Sequence, residues 1–369
     1  MKESILNKLS IAIATLMASS AAFASTDIDS RVTQLENQMQ QVRTETAIGT
    51  YGAKTASARP DAQEQRFSIT TDVLYWHAKV GGTDFAYSDD NPIGTFPTKG
   101  RTENVNFNWD WGLRLGVGYD FNHDDWDGRL HYAFFNTNGS DSLGSGLNST
   151  VIPTKADPSI VQSSTSPDSS FRFCASAKSE FKLEYKAVDL DIGRAYFVSK
   201  KLSFRPSWGL KTAWIDQKQT TRYTGGTAVG EGQTLGLGNN SVHVKDVCDF
   251  WGLGPKAGID SRWSLGCGLS LFGNLAGSLL YGHFEVDHKQ RYTAIEANHI
   301  DMTTSRHGFS PAMQMQLGLR YDTEILNNTQ HIGIGLGFEA NYWWRQNQSL
   351  TSAQDVSLHG VTLDASWAF

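Results

Sequence analysis

Charged side chains make up only 19 % of this 369-residue chain, so their position relative to the apolar residues decides what chemistry they can do. Arg114, Arg129, His131, Arg205, Lys211, Lys256 and Arg320, with Asp110, Asp189, Asp191 and Glu339, occupy the polar phase of a two-residue alternation. Charges gathered on one side of several strands can sort ions and small solutes at a constriction. They can equally pair, cation with carboxylate, and fill a narrow interior. Both readings stand, and the basic excess in this set points to a weak anion preference if the interior is open.

Other chemistry finds little support. His131, His283 and His307 are scattered, and no GxSxG or HExxH pattern occurs, so an enzyme is not indicated. The acidic run from His123 to Asp127 falls where a hairpin turn is expected, and its spacing matches no oxygen cage for calcium. No Cys or His spacing suits zinc, and no cofactor is implied. Cys174, Cys248 and Cys267 are odd in number, which leaves at least one thiol unpaired within a monomer. Cys174 and Cys248 both lie near the expected outer ends of strands, so a loop disulfide between them stays open. Cys267 is expected to face lipid.

The elements that would position these residues follow from hydrophobic periodicity. Trp109, Trp111, Leu113, Leu115, Val117, Tyr119 and Phe121 alternate with Asp110, Gly112, Arg114, Gly116, Gly118 and Asp120. Ile332 to Trp344 repeats the pattern. An apolar face with aromatics towards its ends, opposite a small or charged face, suits a strand with lipid outside and a polar lumen inside. Ten such segments are expected, at about 67–79, 107–121, 126–138, 183–198, 201–217, 246–260, 262–285, 306–322, 329–346 and 356–369. Tight turns at 122–125, 199–200, 260–261 and 323–328 alternate with long polar loops at 80–106, 139–182, 218–245 and 286–305. Trp263 to Phe284 has no charged residue and is long enough for a membrane helix, but its alternating Leu and Ser/Gly residues favour strands. The fold class is therefore all-β, a transmembrane antiparallel up-and-down barrel of about ten strands, or twelve if a loop hides a further hairpin. Gly at 35 residues and aromatics at 11 % suit that architecture.

The start of the chain sets the compartment. Lys2 and Lys8, an apolar run from Ile11 to Ala21, and Ala22-Phe23-Ala24 form a cleavable export signal over 1–24, with an uncleaved anchor as the alternative. In 25–46, Ile28, Val32, Leu35, Met39 and Val42 follow a heptad seam. That predicts either a periplasmic coiled-coil stalk, making a homo-oligomer such as a trimer, or an amphipathic helix packed on its own chain. Residues 47–66 read as a linker, and 67–369 as the outer-membrane barrel with periplasmic termini. The net charge of −6 leaves no nucleic-acid footprint. Outer-membrane lipid is the expected surroundings.

Val361, Leu363, Ala365, Trp367 and Phe369 alternate up to an aromatic last residue. This tail resembles the signal by which barrel-assembly machinery recognises its clients. Longer stretches resemble the Legionella-type pore-forming outer-membrane protein family, described as major-outer-membrane-protein-like and found also in environmental chlamydiae. They are Asp72 to His77, Trp109 to Tyr119, His123 to Trp126, Asp189 to Arg194, Leu202 to Pro206, Ala213 to Asp216, Phe250 to Pro255, Gly266 to Phe272 and Trp343-Trp344. The resemblance covers about 67–369 and implies a pore-forming role, with no catalytic residues to carry over. The resulting expectation is a porin passing ions and small hydrophilic solutes by diffusion. The alternative is a structural or adhesive surface protein acting through its long loops.

Overall fold

The structure is a computed structural model. It describes residues 66–90, 97, 99–121, 126–145, 150–157, 173–199, 201–226, 229–230, 233–234, 237, 239–293, 298–325 and 330–369. The export signal, the heptad segment and nearly all of the linker lie outside these residues. Ten long strands dominate: β1 (Arg66–Val80), β2 (Trp109–Asp120), β3 (Trp126–Gly144), β4 (Ser176–Arg194), β5 (Leu202–Thr224), β6 (Ser241–Gly266), β7 (Leu269–Tyr292), β8 (Asn298–Ile325), β9 (Gln330–Gln348) and β10 (Ala353–Ala368). Each pairs antiparallel with the next, and β10 returns to β1, so the sheet closes with no free edge. The seam is finished by Phe67 N donating to Phe369 O at 3.1 Å and Phe369 N donating to Phe67 O at 2.9 Å. Closure satisfies the backbone internally, which is what a sheet needs in hydrocarbon. Among the described residues there is no helix.

An apolar belt runs round the outside. On β6 it extends from Trp251 through Leu253 and Ile259 to Trp263 and Leu265, all about half exposed. Those residues span roughly 30 Å of height at the usual strand rise and barrel tilt, enough for the apolar band of an outer-membrane barrel. Trp214, Tyr281 and Phe309 mark the upper edge on neighbouring strands. Above that edge the outward residues become charged, as with Asp216 and Lys218 on β5.

Three boundaries differ from the sequence expectation. Asp260-Ser261 is mid-strand, and the β6–β7 hairpin turns at Cys267-Gly268 instead. Gly266, Cys267 and Gly268 all have positive φ (110°, 52° and 80°), a conformation that glycine supplies without a Cβ clash. Cys267 is thus an exposed turn residue, not one on the lipid-facing strand wall. The polar loops are also shorter than expected, because β4 to β8 continue beyond the apolar belt. The loop after β7 shrinks to 293–297. Finally, the first and second long loops are partly ordered: Asp84–Asp89 pairs with both Thr102–Asn104 and Thr150–Pro153 in a small sheet.

That small sheet is folded into the barrel mouth. Phe85, Ala86 and Val151 are buried in one cluster with Trp76, Phe181 and Phe250 from the strands. Tyr223 Oη donates to Phe85 O at 2.6 Å, Gln219 Nε2 to Thr83 O at 3.1 Å, and Lys155 Nζ to Gly82 O at 2.6 Å.

Candidate functional site: a charged barrel interior

All ten of the nominated ionisable residues, Arg114, Arg129, His131, Asp189, Asp191, Arg205, Lys211, Lys256, Arg320 and Glu339, lie on the inward phase of their strands, as does Asp110. Strand period alone puts them there, since a one-residue slip would turn each into lipid. The structure brings them into three linked groups and adds partners that the sequence reading had not picked out.

Nearest the turn end, Arg205 from β5 meets Asp127 at 2.7 Å, Asp191 at 2.9 Å and Asp260 at 3.1 Å. Arg129 shares Asp127 and Asp260 with it, at 2.8 and 3.3 Å. Arg205 is 7 % exposed, and its guanidinium lies where a side chain on Gly193 would have to go. A glycine across the strand pair therefore makes the room that a planar five-donor group requires. On the other wall, Arg320 pairs with Asp322 at 2.9 Å and with Asp364, while Arg262 reaches Asp322 at 3.2 Å.

One level higher, Lys211 and Lys256 both hold Asp189, each at 3.1 Å. Lys256 also approaches Asp191 at 3.9 Å, linking this level to the one below. Higher still, Arg114 bridges Asp72 at 3.0 Å and Glu339 at 2.6 Å. Glu339 is fully buried and also accepts from Gln314 at 2.8 Å, Asn341 at 3.0 Å and Thr362 at 3.0 Å. Trp76 and Trp343 close this level from above, with the Arg114 guanidinium over one ring and Lys211 Nζ over the other, both at 5.7 Å.

Among the described residues, side chains from facing strands thus meet across the interior at these levels. The cavity beside Lys211, Lys256, Gln314, Asn341 and Trp343 has about 10 Å³, at the limit for a single water. A second, near Lys155, Gln217, Gln219 and Asn347, has about 20 Å³.

The carboxylates missed from sequence were Asp72, Asp127, Asp260, Asp322 and Asp364. With them, the three groups and Asp110 hold seven cations (Arg114, Arg129, Arg205, Lys211, Lys256, Arg262, Arg320) against nine carboxylates (Asp72, Asp110, Asp127, Asp189, Asp191, Asp260, Asp322, Glu339, Asp364). The basic excess read from sequence is therefore reversed. Parity could have found all five. Asp260 was hidden by being read as a turn, and Asp127 by lying next to one.

Cys174 and Cys248 are both buried free thiols. Cys174 precedes β4 and bridges to Val151 of the small sheet, whereas Cys248 pairs with Gln217 on β5. Ala175 hydrogen-bonds at Thr224, seven residues along β5 from Gln217, or roughly 23 Å. Disulfide geometry needs Cα atoms within about 7 Å, so the structure does not bring this pair together. Among the described residues no group of three or more His, Cys, Asp or Glu is arranged to hold a metal.

A family model described as Legionella pneumophila major outer membrane protein precursor matches residues 59–369. The chain belongs to this family. A closed ten-stranded barrel with an apolar belt is thus the fold of a Legionella-type major outer membrane protein, and its place is the outer membrane. No curated protein matches the chain. Solved structures to which this family member is distantly similar include the outer membrane protease OmpT from Escherichia coli. That one is 10 % identical, with a TM-score of 0.37, covering 86 % of this chain and 99 % of the other. A major outer membrane protein from Thermus thermophilus is 10 % identical, with a TM-score of 0.33 and coverage of 83 % and 100 %. The toluene transporter TodX from Pseudomonas putida is 12 % identical, with a TM-score of 0.28 and coverage of 84 % and 90 %.

Proposed function

We propose that this family member is an outer-membrane channel for ions and small hydrophilic solutes, shut in the arrangement described and opened by displacing its plug. The observation that carries the reading is the charged interior itself: cations and carboxylates of both walls follow one another from Arg129 at one mouth to Arg114 at mid-height. Transport through it needs no cofactor and no catalytic residue. The turn end, where both strand termini lie, is periplasmic, and the loop end faces outward.

Opening starts in the polar layer above the ion pairs, where hydrogen bonding is least complete. Among the described residues, Gln217 Oε1 and Gln346 Nε2 are buried there without hydrogen-bond partners, a cost that favours local rearrangement. Nine carboxylates against seven cations make the path cation-preferring. Export by the signal at 1–24, recognition of Val361 to Phe369 by assembly machinery and oligomerisation through Ile28, Val32, Leu35, Met39 and Val42 belong to the same proposal.

One observation favours a second reading. A small sheet packs into the mouth against the strands, as suits a structural or adhesive barrel that only displays its loops.

Planar-bilayer recording of the refolded protein under a salt gradient decides between them. The channel reading expects sparse, small, cation-preferring openings in the natural protein. They should become more frequent in Tyr223→Phe, which frees Phe85 O, and in Asp127→Asn, which loosens Arg205. Folded barrels silent in all three forms overturn it and leave the surface role.

A further inference from the structure

Above the apolar belt, the outward face of β4 to β7 is a charged wall, acidic at its foot, mixed in the middle and basic at its top. Directly above the Trp214–Trp251 pair, Glu184, Asp216, Asp249 and Glu285 stand opposite one another on four adjacent strands. Six residues further along each strand, Lys178, Arg222, His243 and Arg291 do the same. Like charges directly opposite destabilise a sheet. Between the two rungs Lys182, Lys218 and Asp287, then Glu180, Lys245 and Lys289, mix the signs and relieve the acidic rung from above, as the Lys186–Glu184 pair does from below. Among the described residues the top rung gains only the Lys178–Glu180 pair, which leaves Arg222 and Arg291 for an anion from outside the sheet.

Height limits which anion that is. Arg222 lies eight residues beyond Trp214, about 20 Å above the belt edge at the usual rise and tilt. Phospholipid headgroups reach only about 5–7 Å beyond the hydrocarbon on each side. The basic rung is therefore out of their range, and the acidic rung between would repel their phosphates. What fits is a lipid with a tall headgroup, whose anionic groups sit on sugars well above its acyl chains. Arg222 and Arg291 are exposed and, among the described residues, have no carboxylate partner; Lys178 has one, Glu180 at 2.9 Å.

We propose that the rung Lys178–Arg222–His243–Arg291 is a docking surface for the anionic sugar region of a glycolipid in the leaflet around the loop end. The guanidinium groups take phosphate or carboxylate groups there, in the bidentate geometry that suits arginine.

The test compares the full refolded protein with Arg222→Gln/Arg291→Gln, using heat-modifiable gel mobility to show that both are folded barrels. Four probes are titrated: rough lipopolysaccharide with a phosphorylated inner core, lipid A alone, phosphatidylglycerol vesicles and heparin. The natural protein should prefer the rough lipopolysaccharide to lipid A, with affinity falling as salt rises. The double variant should lose about tenfold in affinity and the preference with it. In detergent without lipid the same variant should be the more heat-resistant form, because a like-charge contact has gone. Equal binding by both proteins overturns the proposal. So does binding by the natural protein of lipid A or phosphatidylglycerol as tightly as rough lipopolysaccharide, and so does tighter binding of heparin, which would assign the rung to a soluble polysaccharide.

Discussion

The Arg114–Glu339 pair offers the sharpest test of how the barrel interior is held. Glu339 is wholly buried and accepts four hydrogen bonds, and Arg114 spans it and Asp72. Glu339→Leu leaves the guanidinium half-paired and strands the donors of Gln314 and Asn341, which should cost about 3–5 kcal/mol. Arg114→Met is worse in kind, since two carboxylates then share one buried level, and it should cost at least as much. Removing both partners together is different. Arg114→Met/Glu339→Leu leaves no unpaired charge between them, and apolar replacement of a buried pair is often close to neutral. With Asp72 still to be accommodated, the double variant should cost about 1–3 kcal/mol. The coupling energy from the cycle should then exceed about 3 kcal/mol, well outside the additive range for independent sites. Urea titration of the folded barrel in lipid vesicles, followed by tryptophan fluorescence, measures all four forms. Additive single effects would refute the argument, and so would a Glu339→Leu cost below about 1 kcal/mol, because either result means that the pair is solvated.

Three further outcomes follow from the same interior. Gly193→Ala puts a methyl group against the Arg205 guanidinium, which three carboxylates pin in place; an overpacking cost of about 1–3 kcal/mol is expected in the same urea assay, and Arg205→Lys should restore part of it. A maleimide added to the folded barrel without reductant should label Cys267 alone, since Cys174 and Cys248 are 1 % and 3 % exposed; after unfolding, still without reductant, all three should label, and labelling of one only would reveal the Cys174–Cys248 disulfide. Deleting Phe369 removes the reciprocal backbone bonds to Phe67, so the fraction reaching the heat-modifiable folded form in refolding should fall, and an unchanged yield would show that the β1–β10 seam closes without its last rung.

Much of this architecture is legible in the alternation of single strands. Trp109 to Phe121 announces its two faces residue by residue, and the inward charges follow by counting in twos. What escaped has specific causes. Asp260-Ser261 has turn composition but is held mid-strand by pairing with Arg205 and Phe204 on one side and Asn274 and Gly273 on the other. The real turn, Gly266-Cys267-Gly268, sits inside an uncharged run where no polar residue marks it. Whether inward charges stay open or pair cannot be read from one strand, because Arg205 draws its carboxylates from β3, β4 and β6. Only the closed register brings those together.

The loop-end half was misjudged for a deeper reason, visible on β4. From Glu180 to Lys186 the apolar residues are Phe181, Leu183 and Tyr185, all inward, while Glu180, Lys182 and Glu184 point out. From Asp189 to Ile192 the order reverses: Leu190 and Ile192 point out, and Asp189 and Asp191 point in. The strand carries no bulge between the two stretches, so the backbone keeps its phase while the chemistry inverts at Ala187-Val188. β5, β6 and β7 repeat the inversion, with Ile215, Phe250 and Phe284 buried above the belt and Leu210, Leu253 and Leu279 exposed within it. The solvent outside accounts for this. Within the belt the outside is apolar, so burying apolar groups inside gains nothing, and polar pairing must hold the walls together. Beyond the belt the outside is water, and the same sheet must bury an apolar core as a soluble barrel does. The phase inversion therefore marks the membrane boundary in the sequence itself. It also explains why a chain read as lipid outside and polar inside throughout places its long polar loops too early: the polar residues there are the outer face of strands that continue.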